Sequence, residues 1–211
     1  KAARRLGDVI SSELQALGMG RAKVVVDVAP LERNDASPSY AGARLSREGL
    51  DRAQFLIAPN RGMAPRPLGK IASGGELSRA LLALKRALAG LELDLRSGSR
   101  APGVQVFDEV DSGVGGETAD RIGRAIAGIA SQRQVLCITH LAAIAAHAQA
   151  HFIVTKDEAT RTTTTTIQRA NGPARVAEIA RMLTGAKVTG PAKRAAKELL
   201  ALASVVENAA E

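Results

Sequence analysis

Aromatic side chains are nearly missing: 211 residues hold three Phe, one Tyr and no Trp. Leu, Val, Ile and Ala must therefore fill the core, and a stacking platform for single-stranded nucleic acid is disfavoured. A single cysteine, Cys137, excludes an internal disulfide framework and fits a reducing cytosol. It lies inside an apolar strand, where a buried structural thiol is expected rather than a nucleophile. No run of 18 apolar residues occurs, and Lys1 to Leu17 has no signal-peptide centre. No membrane partner is expected, and a cytoplasmic location is. The chain does not begin with Met, so a piece of something larger is expected.

Positive charge is abundant. Lys and Arg number 29 against 21 Asp and Glu, a formal charge of +8 and a pI near 10.2. That excess suits a polyanion such as DNA or a nucleotide phosphate, or else a solvated Arg-rich surface. No segment concentrates it. Hydrophobic content of 45% over this length supports one sizeable core with at most a small appendage.

Leu6, Ile10, Leu14 and Leu17 recur at helical spacing until Gly18 and Gly20 stop the pattern. Strands are expected over Ala22 to Val28 and Ala53 to Ala58, with a polar connection between them. Pro59, Gly62, Pro65 and Pro67 then exclude helix or central strand. Lys70-Ile-Ala-Ser-Gly-Gly-Glu-Leu-Ser-Arg79 opens a long helix whose expected apolar face is Leu77, Leu81, Leu84, Leu88 and Leu91. After a break over Ser97 to Gly103, strand Val104 to Phe107, helix Glu117 to Ala130 and strand Val135 to Thr139 follow. This order predicts a parallel pair joined by a crossover, with ligands beyond the carboxyl ends of the strands. Phe152 to Thr155 and Thr162 to Gln168 read as a hairpin. Two helices close the chain, the second after Gly190-Pro191.

The chemistry gathers at strand ends. Asp108 and Glu109 follow a core strand directly, and Asp111 comes two residues on. Adjacent carboxylates repel and are costly to desolvate, so a cation is expected opposite them. Asp108 would hold a hydrated Mg²⁺, and Glu109 would orient or deprotonate a water. His140 ends the neighbouring strand, at the same sheet edge. Ser73 and Glu76 could form a capping box, but Gly74 and Gly75 between them weaken a helix by up to ~1 kcal/mol each. Such glycines leave first-turn amides open to an oxyanion such as phosphate. His147 and His151 have no comparable context.

Together these motifs resemble the ATP-binding-cassette ATPases. Ala72-Ser-Gly-Gly-Glu76 is similar to the signature motif, Val104 to Glu109 to the Walker B strand with its catalytic Glu. Asp111 is similar to the D-loop residue, and His140 to the switch histidine. Phe107-Asp-Glu-Val-Asp-Ser-Gly113, Cys137-Ile-Thr-His-Leu141, Ala180-Arg-Met-Leu183 and Ala196-Lys-Glu-Leu-Leu200 narrow the resemblance to the RecN family, SMC-like proteins of bacterial DNA repair. That resemblance implies an α/β fold, the C-terminal lobe of an SMC-type P-loop NTPase head with a mainly parallel sheet flanked by helices. Residues 1–18 would end a coiled-coil helix and 19–211 form the head half. The implied cofactors are ATP and Mg²⁺, with Asp108 serving the metal and Glu109 and His140 catalytic. Ser73, Gly74, Gly75, Glu76 and Asp111 would meet nucleotide. The implied partners are the Walker A half, a second head across ATP, and DNA near the nucleoid.

One departure is decisive. A P-loop needs Gly-x-x-x-x-Gly-Lys and then Ser or Thr, yet Gly69-Lys70 is followed by Ile71, with Ala64 in place of the first Gly. The chain alone is therefore expected to bind ATP poorly and to hydrolyse it negligibly. Another ATP-binding-cassette protein, or a non-catalytic basic DNA-binding module, are the alternative readings.

Overall fold

Apolar periodicity, turn glycines and short apolar runs resolve into sixteen elements in the computed structural model, which describes residues 1–34, 36–71, 73–92, 103–157 and 164–208. The chain divides into two compact units, Lys1–Gly98 and Ser99–Glu211. The break expected over Ser97 to Gly103 lies outside the described residues, apart from Gly103.

In the first unit, helix α1 (Ala2–Ala16) buries Ile10 and Leu14, with Leu17 just beyond its end. Its apolar stripe meets strand β1 (Lys23–Pro30). Gly7 makes the close approach possible, because a Cβ there would stand 3.0 Å from the Val24 carbonyl oxygen. Ser11 Oγ donates to Gly7 O at 2.7 Å and accepts from the Val24 amide at 2.9 Å. β1 runs antiparallel to β4 (Asp51–Ala58), Lys23 opposite Ala58 and Pro30 opposite Asp51. Between them lies a small hairpin of β2 (Ser39–Tyr40) and β3 (Ala43–Arg44), turned at Ala41 and Gly42, both at positive φ. β5 (Arg66–Pro67) adds a short edge to β4, where its proline does not interrupt a ladder.

Helix α2 (Gly74–Glu92) follows a 3₁₀ turn at Leu68–Lys70. Its buried face is not the expected leucine row. Ala80, Leu82, Ala83 and Ala87 are buried, whereas Leu81 and Leu88 are 41% and 39% exposed. α1 packs against α2, and small alanines admit a neighbouring backbone more closely than a leucine ridge does. Glu13 and Arg86 pair across the two helices at 3.0 Å.

The second unit starts with β6 (Val104–Phe107), α3 (Gly116–Ala130) and β7 (Gln134–Cys137). β6 and β7 are parallel, Val104 opposite Gln134 and Phe107 opposite Cys137. α3 buries Ile122, Ile126 and Ile129, as its spacing predicts. The α/β class holds, but a mainly parallel sheet does not. Among the described residues β6–β7 is the one parallel pair, and every other pairing is antiparallel. Among the described residues β6–α3–β7 is the one unit whose two strands pair across an intervening helix, whereas the antiparallel partners β1–β4, β2–β3 and β4–β5 are joined without one.

α4 (Ala142–Ala145) leads to a hairpin of β8 (His151–Asp157) and β9 (Thr164–Ala170), in which Thr164 to Thr166 are strand residues. α5 (Gly172–Thr184) and α6 (Gly190–Asn208) then pack on each other and on α4 through Ile179, Ala180, Ala192, Ala196, Ala142 and Ala145. Cys137 is half-buried; burial first, then the charges of Asp111 and Asp108, pushes its thiol up to about 12, so it stays a neutral thiol.

α4 sits tightly on α3 at Gly123. A Cβ there would lie 2.5 Å from His147 Cδ2 and 3.1 Å from the Ala143 carbonyl oxygen. Gly123→Ala gains at most ~1 kcal/mol of helix propensity, whereas overpacking costs about 1–3 kcal/mol. The expected outcome is a lower urea midpoint; a raised one would show that α4 yields freely.

His147 is nearly buried and pairs with Asp120 at 2.9 Å, while Arg124 reaches the other Asp120 oxygen at 2.8 Å. Burial pushes the Asp120 carboxyl up, but the His147 and Arg124 hydrogen bonds and charges outweigh it and hold the group below its ordinary value. A depressed folded-state pKa stabilises above the ordinary carboxylate range, and this is lost as pH falls through the depressed value. Asp120→Asn should therefore melt lower than wild type at pH 7. The gap should close as the pH is taken well below about 4, measured by thermal unfolding across pH.

Candidate functional site

β6 ends at Phe107, which is buried, and Val110 beneath the following turn is fully buried. Between these anchors Asp108 and Glu109 are both exposed. Strand alternation would send consecutive side chains to opposite faces. Glu109 escapes that by adopting φ +57, the left-handed region in which a non-glycine residue is uncommon and costs about 1–2 kcal/mol. The Glu109 amide donates to Asp108 Oδ1 at 2.9 Å, and the Ser112 amide closes the turn on Glu109 O at 3.2 Å. Strained backbone between two exposed carboxylates is an arrangement found at functional sites.

Asp111 behaves differently. It is 5% exposed, and its Oδ2 accepts from Thr139 Oγ1 at 2.6 Å, from the His140 amide at 2.9 Å and from His140 Nδ1 at 2.9 Å. Thr139 Oγ1 in turn accepts from the Leu141 amide at 3.0 Å. The ends of β6 and β7 are thus clamped together, assisted by the Ile138 amide donating to Phe107 O. His140 is 74% exposed. With Nδ1 donating to Asp111, its Nε2 is left for a ligand, and the ring orientation is set by the carboxylate. Asp108, Glu109, Asp111 and His140 therefore share one strand edge. Sequence reasoning did not single out Thr139 as a positioning residue; its place between the last apolar residue of the strand and His140 was the available signal.

The Ser73 segment lies on the first unit. Ser73 and Gly74 are exposed, Gly75 is buried, and Ser73 Oγ stands 3.5 Å from the Glu76 amide, the long limit of a cap. The Leu77 amide donates to Ser73 O at 3.1 Å. α2 thus presents its first-turn amides beside two glycines. Arg79, one turn on, is 7% exposed; burial lowers its pKa and Glu76 opposes that. No cluster of three or more metal-ligating side chains occurs among the described residues. One carboxylate suffices for Mg²⁺ where phosphate oxygens and waters complete the shell, so Asp108 fits that ion and not a protein-caged metal.

No protein-family model matches the chain. Curated relatives do. It is 40% identical over 200 residues to the DNA repair protein RecN of Xylella fastidiosa (strain Temecula1 / ATCC 700964), covering 95% of this chain and 33% of that protein. Identity is 39% over 210 residues to RecN of Bacillus subtilis, covering 98% and 35%, and 41% over 208 residues to RecN of Mycobacterium leprae, covering 94% and 34%. The chain is RecN-like along nearly its whole length. It spans about a third of the length of these relatives. Among solved structures, the Smc head domain with a coiled coil and joint from Pyrococcus yayanosii superposes with a TM-score of 0.53, at 16% identity, over 87% of this chain and 29% of that one. That likeness is one of fold alone.

Asp111→Ala would strip three donors of their acceptor, at roughly 1–3 kcal/mol for each one left buried and unsatisfied. The expected result is a loss of about 2 kcal/mol or more in urea unfolding, together with loss of the fixed His140 ring orientation, read from its imidazole NMR signals. An unchanged stability would show that the clamp holds nothing.

Proposed function

We propose that this chain is the C-terminal lobe of an SMC-like ATPase head that acts in DNA double-strand-break repair, and that it becomes an ATPase only when a Walker A half completes it. The observation that carries the reading is the strand edge at which Asp108, Glu109 and the Asp111-held His140 come together, in a chain 40% identical to RecN. Mg²⁺ bound there would neutralise phosphate charge. Asp108 would hold that ion, Glu109 would orient the attacking water and accept its proton, and His140 Nε2 would face the terminal phosphate. Asp111 acts by positioning His140.

Ser73, the Gly74 and Gly75 amides and Glu76 belong to the other unit. We assign them to the phosphates of a nucleotide held by a second head, so that ATP lies between two heads. Binding then favours the dimer and hydrolysis releases it. DNA is the further partner, and the bacterial cytoplasm the setting. No helix among the described residues is long and apolar enough to cross a membrane.

A missing lobe is also supported by packing. Parallel sheets are ordinarily covered on both faces. Here Val104, Val106, Leu136 and Ile138, all on the same face of β6–β7, are 54%, 62%, 50% and 59% exposed. A Walker A half that continued the sheet and roofed this face would supply both the cover and the phosphate cradle the sequence lacks.

Glu109→Gln, in a protein that joins this lobe to its Walker A half, should lower ATP turnover by about 10²–10⁴-fold, the usual worth of a positioned base. It should also accumulate ATP-bound dimers in size-exclusion chromatography. Turnover at the wild-type rate would falsify the assignment.

A further inference from the structure

The α5–α6 end of the second unit contains an open cleft of about 710 Å³ that no part of the ATPase reading uses. Arg175 forms part of its wall, half-buried and held by donating from Nη2 to Ala146 O at 3.0 Å and Ala148 O at 2.5 Å. Lys193 and Lys197, both exposed, stand one helical turn apart on α6. Gln149, Ser204 and Gly172, at the start of α5, add polar groups and the positive end of a helix. Among the described residues, the lining includes three cations, no carboxylate and no aromatic ring. The neighbouring Glu178 is paired with Arg181 at 2.6 Å.

We propose that this cleft seats the phosphate backbone of duplex DNA. Its chemistry selects that class. Lys193 and Lys197 are separated by about 6 Å along the helix axis, a spacing that lets each meet its own phosphate on one strand. An open, ring-free cleft grips a continuous backbone better than a nucleotide, whose base would find nothing to stack on. Arg175 preorganises the wall, since two carbonyls already fix its guanidinium. The positive field is felt nearby: burial lowers the His151 pKa first, Arg175 lowers it further, and Glu178 opposes both. The inference rests on the DNA-repair reading for the identity of the polyanion, but it requires neither nucleotide nor the Asp108 edge.

The test is fluorescence anisotropy of a labelled blunt duplex with the full chain, without nucleotide, across a salt series. Lys193→Gln/Lys197→Gln, at exposed helical positions, should weaken binding several-fold near 0.1 M salt. It should also flatten the slope of log affinity against log salt by about 2, close to one unit for each lost phosphate contact. Arg33→Gln/Arg61→Gln, the same charge change in the other unit, should leave the slope nearly unaltered. Equal effects from the two pairs would mean a diffuse charge response and would overturn the cleft. So would a duplex affinity indifferent to Lys193 and Lys197 alongside lysine-dependent binding of inorganic tripolyphosphate in calorimetry, which would make the cleft a seat for free phosphate. Absence of any duplex binding by the wild type would remove the DNA reading itself, whereas a failed Glu109→Gln prediction would remove only the ATPase assignment.

Discussion

A single carboxylate oxygen, Asp111 Oδ2, receives a hydroxyl, a backbone amide and an imidazole nitrogen from the end of the neighbouring strand. Most of what is chemically notable in the second unit depends on that convergence. The acceptor is nearly buried, so its hydrogen bonds are strengthened by low local dielectric, and the loss of any partner would be correspondingly costly. Thr139 passes the constraint on to the Leu141 amide and so to the start of α4. The exposed imidazole of His140 is thereby as well oriented as a core side chain, while its second nitrogen remains available.

The two carboxylates that stand two and three positions before Asp111 are treated in the opposite manner. Asp108 and Glu109 stay in solvent, where neither needs a buried counter-charge, and the left-handed turn at Glu109 makes that possible. The turn is anchored from below by Phe107 and Val110, which are buried too deeply to follow a relaxing backbone. Strain at Glu109 and rigidity at Asp111 are two consequences of ending a core strand on three acidic residues. The buried one gathers donors from the neighbouring strand end, and the other two face solvent.

The parallel strands, α3 with its isoleucine face, and the β8–β9 hairpin were legible because period and turn chemistry act locally. The clustering of Asp108, Glu109 and His140 was legible because parallel strands deliver their carboxyl ends to one edge. The burial of α2 was not, since a leucine row and an alanine face share the same helical period. Which of them turns inward is decided by the packing of α1 on α2, a contact with a different element that no local pattern in α2 encodes. The role of Asp111 was hidden for a related reason. Its three donors lie 28 and 29 residues away, and no local pattern distinguishes a buried carboxylate from its exposed neighbours. Antiparallel pairing predominates because, among the described residues, β6–α3–β7 alone brings two strands together across a helix.

Incompleteness of chemistry and incompleteness of packing coincide in this chain. The sequence has the carboxylates and the histidine that the proposed reading assigns to a metal-bound phosphate, but no Gly-x-x-x-x-Gly-Lys loop followed by Ser or Thr to hold one. The same sheet that carries them leaves four apolar side chains in water on one face. Exposed apolar surface of that kind is unfavourable by about 25 cal/mol for each Å² that a partner could cover, so a lobe that roofed the sheet would gain stability before any nucleotide arrived. Phosphate binding could then be assembled on a scaffold already closed by hydrophobic burial. On the proposed reading, the turn at Ser73, carried on the other unit, serves a nucleotide held by a second head.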